Sequence, residues 1–304
     1  MLASRDSHDG PSGDPAADPP GRFYLGCAVW GHQGWVGSFY PAGTRPPAYL
    51  RTYAERLTAV EGNTTFYRVP EPSVVDRWAA DLPAGFHLCP KLNRELTHGS
   101  DLAAAVPGAA AFLATVTRLG DRLGPVLVQL PGRFSPDQLP ELQTFLEAWP
   151  SERAMGLELR HPAWFRRPHG NRMLELLERL GHGRAILDSR PVYSGSDDPQ
   201  VQSERAKPRL PVLTATTGRV ALVRFISHPE RARNVAYLEE WAERVDAWLR
   251  RGIAVYFFVH CPQELLSPFI AREFQALLEA RGAPVPPLPW SRVESAPLQR
   301  GLFD

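Results

Sequence analysis

Eight short apolar runs in this chain each stop at a residue able to carry charge or to make a directed hydrogen bond. In order, these are Trp30, Glu61 with Asn63, Lys91, Gln129, Glu158 with Arg160 and His161, Asp188 with Arg190, Arg224, and His260. Glu61, Glu158 and Asp188 are carboxylates suited to catalytic acid–base work. Lys91, Arg160, Arg190 and Arg224 form a cationic set, and guanidinium forks suit bidentate capture of phosphate or carboxylate. The expected chemistry is a hydrolase's or nuclease's, in which Glu61 or Glu158 moves a proton while Lys91, Arg160 and Arg224 hold an anion; the alternative is a non-catalytic anion or nucleic-acid sensor that binds through the same residues. Trp30, Tyr67 and the loop around Trp35 would wall the apolar part of the ligand. A competing reading makes these charges mutual pairs that brace a rim, since Glu158 and Arg160 fall on one side of a single strand.

The most telling stretch is Val60-Glu61-Gly62-Asn63-Thr64-Thr65-Phe66-Tyr67. An apolar strand end gives way within one residue to a carboxylate, a glycine, an amide, two hydroxyls and an aromatic pair. Such residues belong at the carboxyl end of a barrel strand, or in a turn tied by side-chain hydrogen bonds. Glu61, Glu158, Asp188, His161, His228 and His260 also offer an oxygen and nitrogen donor set. No HxH or HExxH spacing organises it, and no metal or other cofactor is expected. The sequence has no Gly-x-Ser-x-Gly elbow, Walker loop or GxGxxG after its first apolar run.

The elements that must position these residues follow from the patterning. Strands are expected over 23–29, 57–61, 86–91, 126–130, 155–161, 184–188, 219–226 and 254–260. Helices are expected over 47–57, 72–82, 101–123, 135–149, 170–181, 235–251 and 264–281. Apolar runs that do not alternate mark strands covered on both faces. Eight β-α units in about 270 residues fit a single-domain, TIM-barrel-like (β/α)8 barrel, with a doubly wound open sheet as the rival. The domain reading is a disordered leader over 1–21, a barrel over 22–283 and a proline-rich tail over 284–304. Residues 189–219 read as an irregular insertion over one face.

Composition narrows the partners. Hydrophobic content is 43%, charged content 22% and net charge +1, so bulk charge does not advertise nucleic-acid binding. An anionic small molecule, or nucleic acid in a local basic groove, is the expected partner. Three cysteines without CxxC spacing fit a reducing cytoplasm. No signal peptide is read at the start, and no membrane-length apolar stretch is expected.

With these residues in view, the chain resembles the YecE-like family, a prokaryotic group built on a domain of unknown function. The likeness spans residues 23–281. It rests on Gly26 to Trp30, Trp35-Val36-Gly37, Phe39-Tyr40-Pro41, the stretch from Val60 to Tyr67, and Gly85-Phe86 to Lys91 with Thr97-His98. Gln129-Leu130-Pro131, Glu158-Leu159-Arg160-His161-Pro162, Asp188-Ser189-Arg190-Pro191 and Val223-Arg224-Phe225 continue it. The resemblance implies a TIM-barrel-like fold with a cleft at the strand ends, and brings no assigned reaction. The chain departs from the family pattern after Arg224, where Phe225-Ile226-Ser227-His228 replaces Arg-x-His-Gly, and at Phe258-Val259-His260, where Phe-Asn-Asn is common. The ending Gln299-x-x-Leu302-Phe303 resembles the short peptide that docks bacterial replication proteins on the DNA sliding clamp, and makes Gln299, Leu302 and Phe303 candidate partner-binding residues.

Overall fold

The computed structural model describes residues 20–201 and 206–295. All eight expected strands form: β1 Phe23–Cys27, β2 Ala59–Gly62, β3 His87–Pro90, β4 Val126–Gln129, β5 Met155–Glu158, β6 Gly183–Asp188, β7 Val220–Ile226 and β8 Ala254–His260. Every pairing is parallel. Six strands make one sheet in the order β1-β8-β7-β6-β5-β4, and β2 pairs with β3. Between them run α1 Tyr49–Ala54, α2 Thr64–Tyr67, α3 Pro72–Asp81, α4 Arg94–Thr97, α5 Val106–Val116, α6 Leu139–Glu147, α7 His169–Leu180, α8 Val235–Arg250 and α9 Ser267–Ala280, followed by α10 Trp290–Ser295. This is an α/β fold with parallel strands and intervening helices.

Side-chain alternation along the strands decides what reaches a site. On one face Leu25, Ile186, Val223, Phe225, Phe257 and Val259 pack against α8 and α9. The α8 stripe is Leu238, Trp241, Ala242, Val245, Trp248 and Leu249, spaced as one helical face requires. On the opposite face Tyr24, Ala59, Cys89, Leu127, Ala185, Leu222, Tyr256 and Phe258 form a second cluster. Glu61, Lys91, Gln129, Arg224 and His260 each stand two residues beyond a member of that second cluster. They therefore project from the same face, one layer further on.

Two expectations need correction. The stretch from Pro284 is not a free tail as far as it is described. Leu288 and Trp290 are buried, with the Trp290 ring 5.0 Å from Phe39 and 5.9 Å from Phe269. Large apolar rings so close to the core gain more from burial than from a solvated tail. The second concerns Ala103–Arg122, which has the length and hydropathy to cross a membrane. It is built as α5 between two 3-10 segments and bends at Gly120, whose φ is 57°. Its Phe112, Leu113 and Val116 pack into the cluster that also holds Leu142 and Phe145 of α6.

Candidate functional site

The strand ends of β2, β5 and β7 are joined by one guanidinium. Arg224 donates from Nε and Nη2 to the two oxygens of Glu61, both at 2.8 Å, and from Nη1 to Oε2 of Glu158 at 2.6 Å. Arg160 donates from Nε to the other Glu158 oxygen at 2.6 Å. Glu61, Glu158 and Arg224 are 0%, 1% and 1% exposed. Burial opposes the charge on all three, and mutual attraction overrides it. Arg224 and His260 hold the Glu61 carboxyl well below the usual range, and Arg224, Arg160 and Lys91 do the same for Glu158. Arg224 is held above its ordinary value by the same two carboxylates. His260 Nε2 lies 3.1 Å from Glu61 Oε2. Burial pushes His260 down to about 4 against the attraction of Glu61, so near neutrality it is an uncharged imidazole donating to the carboxylate.

Lys91 closes β3 beside this network. Thr65, in the short helix after β2, pins its backbone: Oγ1 accepts from Lys91 N at 2.9 Å and lies 2.6 Å from Lys91 O. Lys91 Nζ donates to Gln129 Oε1 at 2.7 Å and sits 3.9 Å over the Phe66 ring. Gln129 Nε2 lies 3.4 Å from His98 Nε2, linking the β4 end to the residue after α4. Among the described residues, no carboxylate lies within ion-pair distance of Lys91. Burial, then repulsion from Arg224, lowers its amine well below the ordinary value despite the attraction of Glu158 and Glu61.

These groups border a cavity of about 250 Å³ lined by Asn63, Tyr67, Lys91, Lys207, Arg224, His260 and Glu264, among others. A second cavity of about 350 Å³ shares Ala28, Val29, Asn63 and Glu264 with it and extends along Trp30 and His32. Trp30 packs edge-on to Trp78 at 5.6 Å, and Asn63 donates to Ala28 O at 2.9 Å. Tyr67, 44% exposed, stands at the rim.

Lys207 and Glu264 escape a reading based on strand ends, because one lies in the insertion and the other starts the turn into α9. Burial, followed by Arg224 and Arg160, pushes Lys207 down to about 8. Burial pushes the Glu264 carboxyl up to about 7, although Ser267 donates to it at 2.9 Å. One signal in the sequence does point to the lysine: of the 34 basic residues only Lys91 and Lys207 are lysines.

Four candidates fall elsewhere. Asp188 stands two residues beyond Ile186, so it projects toward the helices. Its carboxylate there accepts from Trp241 Nε1 at 2.7 Å and from Arg190 N, Nε and Nη2 at 2.9–3.0 Å. Asp188 and Arg190 therefore form a separate cluster under α8, and the catalytic role expected of Asp188 has no geometric basis. His161 accepts from Ala163 N at 3.2 Å and caps the following turn. His228 accepts from Glu230 N at 2.9 Å, with Nε2 3.3 Å from Asp197. Gln299, Leu302 and Phe303 lie outside the described residues, as does the leader as far as residue 19. Among the described residues, no three His, Cys, Asp or Glu side chains are arranged to hold a metal ion.

Comparison with known proteins places the chain in a family. Residues 24–293 match the family described as Protein of unknown function DUF72. The chain is 32% identical over 248 residues to the UPF0759 protein YecE of Escherichia coli K12, covering 81% of this chain and 88% of that protein. It is also similar to the crystal structure of a DUF72 family protein from Thermotoga maritima, with a TM-score of 0.65 and 21% identity, covering 85% of this chain and 99% of the other. A DUF72 family protein from Enterococcus faecalis V583 gives 0.66 and 16%, covering 84% and 95%. The chain belongs to the YecE-like DUF72 family.

Proposed function

We propose that the eight strands close into a (β/α)8 barrel whose mouth is the active site of an enzyme acting on a phosphate- or carboxylate-bearing substrate. Closure is supported at both seams of the six-stranded sheet. Between β1 and β2, Thr58 N donates to Leu25 O at 3.1 Å, and the Tyr53 hydroxyl lies 2.6 Å from Cys27 N and 3.1 Å from Ala59 O. A Cβ added at Gly26 would lie 2.0 Å from Ala59 O, so this seam needs glycine. Between β3 and β4, Leu92 N donates to Leu127 O and Gly124 N to Leu88 O, both at 2.9 Å. In such a barrel the second cluster is the interior, and the charged layer above it faces the mouth, where barrel enzymes act.

The observation that carries the reading is the buried Arg224 fork bordering the cavity. Glu61 and Glu158 occupy three of its N–H groups and fix its plane, leaving two for a ligand. A network held this rigidly in a dry setting is preorganised for an anion. Arg160 and Lys207 add charge at the same place. Glu61 and Glu158 then act as positioning residues, because carboxyls held ionised by Arg224 are poor proton donors. The proton-carrying role falls to Glu264, which titrates near neutrality at the junction of the two cavities. Trp30 and Val29 line the apolar end. The three cysteines are buried and unpaired, in keeping with the cytoplasm.

A screen of small phosphate monoesters and carboxylic acid derivatives, followed by product release, tests this. Turnover that disappears in Glu264→Gln supports it. Saturable binding without product would instead make the mouth a sensor. No binding of any anion would end the reading.

A further inference from the structure

Thirty-two of the 34 basic residues are arginine, at exposed and buried positions alike. The two lysines, Lys91 and Lys207, are far apart in sequence and meet at one cavity of about 250 Å³. An arginine serves as well as a lysine for surface charge, and better for a bidentate anion contact. It cannot serve where the amine must lose its proton and attack.

The surroundings of Lys91 suit that task. It is 5% exposed, and its Nζ contacts are a neutral amide and an aromatic ring, Gln129 Oε1 at 2.7 Å and Phe66 at 3.9 Å. The neighbouring carboxylates of Glu61 and Glu158 are already engaged by Arg224. The proton transfers in the mouth have other carriers, since Glu264 is present, and anion binding has Arg224 and Arg160. What remains for Lys91 is covalent addition to a carbonyl: the other nucleophiles lining this cavity are Lys207, which stays mostly charged at neutral pH, and the Cys261 thiol, which burial pushes up to about 11.

We infer that Lys91 is a nucleophile that forms an imine with the aldehyde or ketone carbon of an anion-bearing substrate. The inference rests on the reading of the mouth as an enzyme's active site. The Nζ lone pair adds to the carbonyl carbon, and an amine proton moves to the carbonyl oxygen to give a carbinolamine. The carbon–oxygen bond then breaks, and the oxygen leaves as water with a proton from the Glu264 carboxylic acid. The product is a protonated imine and the Glu264 carboxylate, and hydrolysis reverses both steps. Lys207, which keeps most of its charge at neutral pH, pairs with the substrate's anion.

Glyoxylate, the smallest carbonyl that carries a carboxylate, is the probe. The folded protein is incubated with it and cyanoborohydride at pH 7, and peptide mass mapping quantifies carboxymethyl adducts at Lys91 and Lys207. Lys91 is expected to lead several-fold, because its dry surroundings favour the free amine while Lys207, at about 8, is mostly charged at that pH. In denaturant the two should label alike. A native ratio near one, or no adduct at Lys91, overturns the inference. Calorimetry with inorganic phosphate on the same preparation separates the two readings. Phosphate binding without the adduct sinks the amine assignment alone, whereas absent binding sinks the site on which it rests.

Discussion

Two arginine–carboxylate clusters lie at strand ends in this molecule, and their sequences look alike. One joins Glu61, Arg224 and Glu158; the other joins Asp188 and Arg190. Both have fully buried carboxylates. They differ in the face from which they project and in what is left unsatisfied. Asp188 takes four donors, and its Arg190 turns outward to Glu240 at 2.8 Å and stacks on Tyr237 at 5.0 Å. That cluster is complete and stitches β6 to α8. The Arg224 cluster borders a cavity with N–H groups to spare. Side-chain identity therefore does not distinguish a brace from a site; strand alternation and spare hydrogen-bonding capacity do.

The largest effect is expected at Arg224. Arg224→Ala strands two buried carboxylates and should cost roughly 3–5 kcal/mol in urea unfolding. A loss under about 1 kcal/mol would mean that neither carboxylate is held in a dry network. His260 sharpens the same point through pH. Its folded pKa of about 4 lies below the ordinary 6.5, so the unfolded imidazole takes up a proton that the folded one refuses. Its contribution is complete above pH 6.5 and is lost as pH falls toward 4, on the order of 3 kcal/mol. Glu264, raised to about 7, gives the opposite slope between pH 4.5 and 7. Comparing wild type with His260→Gln cancels that slope, and the variant should lose less stability on acidification. Parallel curves would refute the neutral assignment.

At the other cluster, Arg190→Ala leaves Asp188 its Trp241 partner and should cost about 1–3 kcal/mol, with phosphate binding unchanged by calorimetry. Weakened binding there would dissolve the distinction between the clusters. The smallest effect is expected for Arg160→Gln, which removes one half-buried cation from beside the Arg224 network. It should weaken phosphate roughly tenfold with little change in stability.

Much of this was legible in the sequence. Apolar runs bounded by glycine and proline placed the strands, and their last residues named Glu61, Lys91, Gln129, Glu158, Arg224 and His260. Asp188 was misplaced because a run's end does not say which face its last residue takes, and one residue of parity reverses it. Lys207 and Glu264 lie on connections whose course depends on tertiary packing, so periodicity gave them no address. Trp290 was hidden for a similar reason. A proline-rich stretch reads as tail until a ring such as Phe39 is known to lie beneath it.

Whether the Arg224 cavity is built for an anion can be read from one titration. Inorganic phosphate is titrated calorimetrically into wild type and Lys207→Gln near pH 8, in two buffers of different ionisation enthalpy. A bound anion favours the charged amine, so Lys207, at about 8, should take up protons as phosphate binds. Saturable binding with proton uptake is expected in wild type, and weaker binding with less uptake in the variant. No saturable binding, or identical binding and uptake in the two proteins, would contradict an anion-binding role for the cavity.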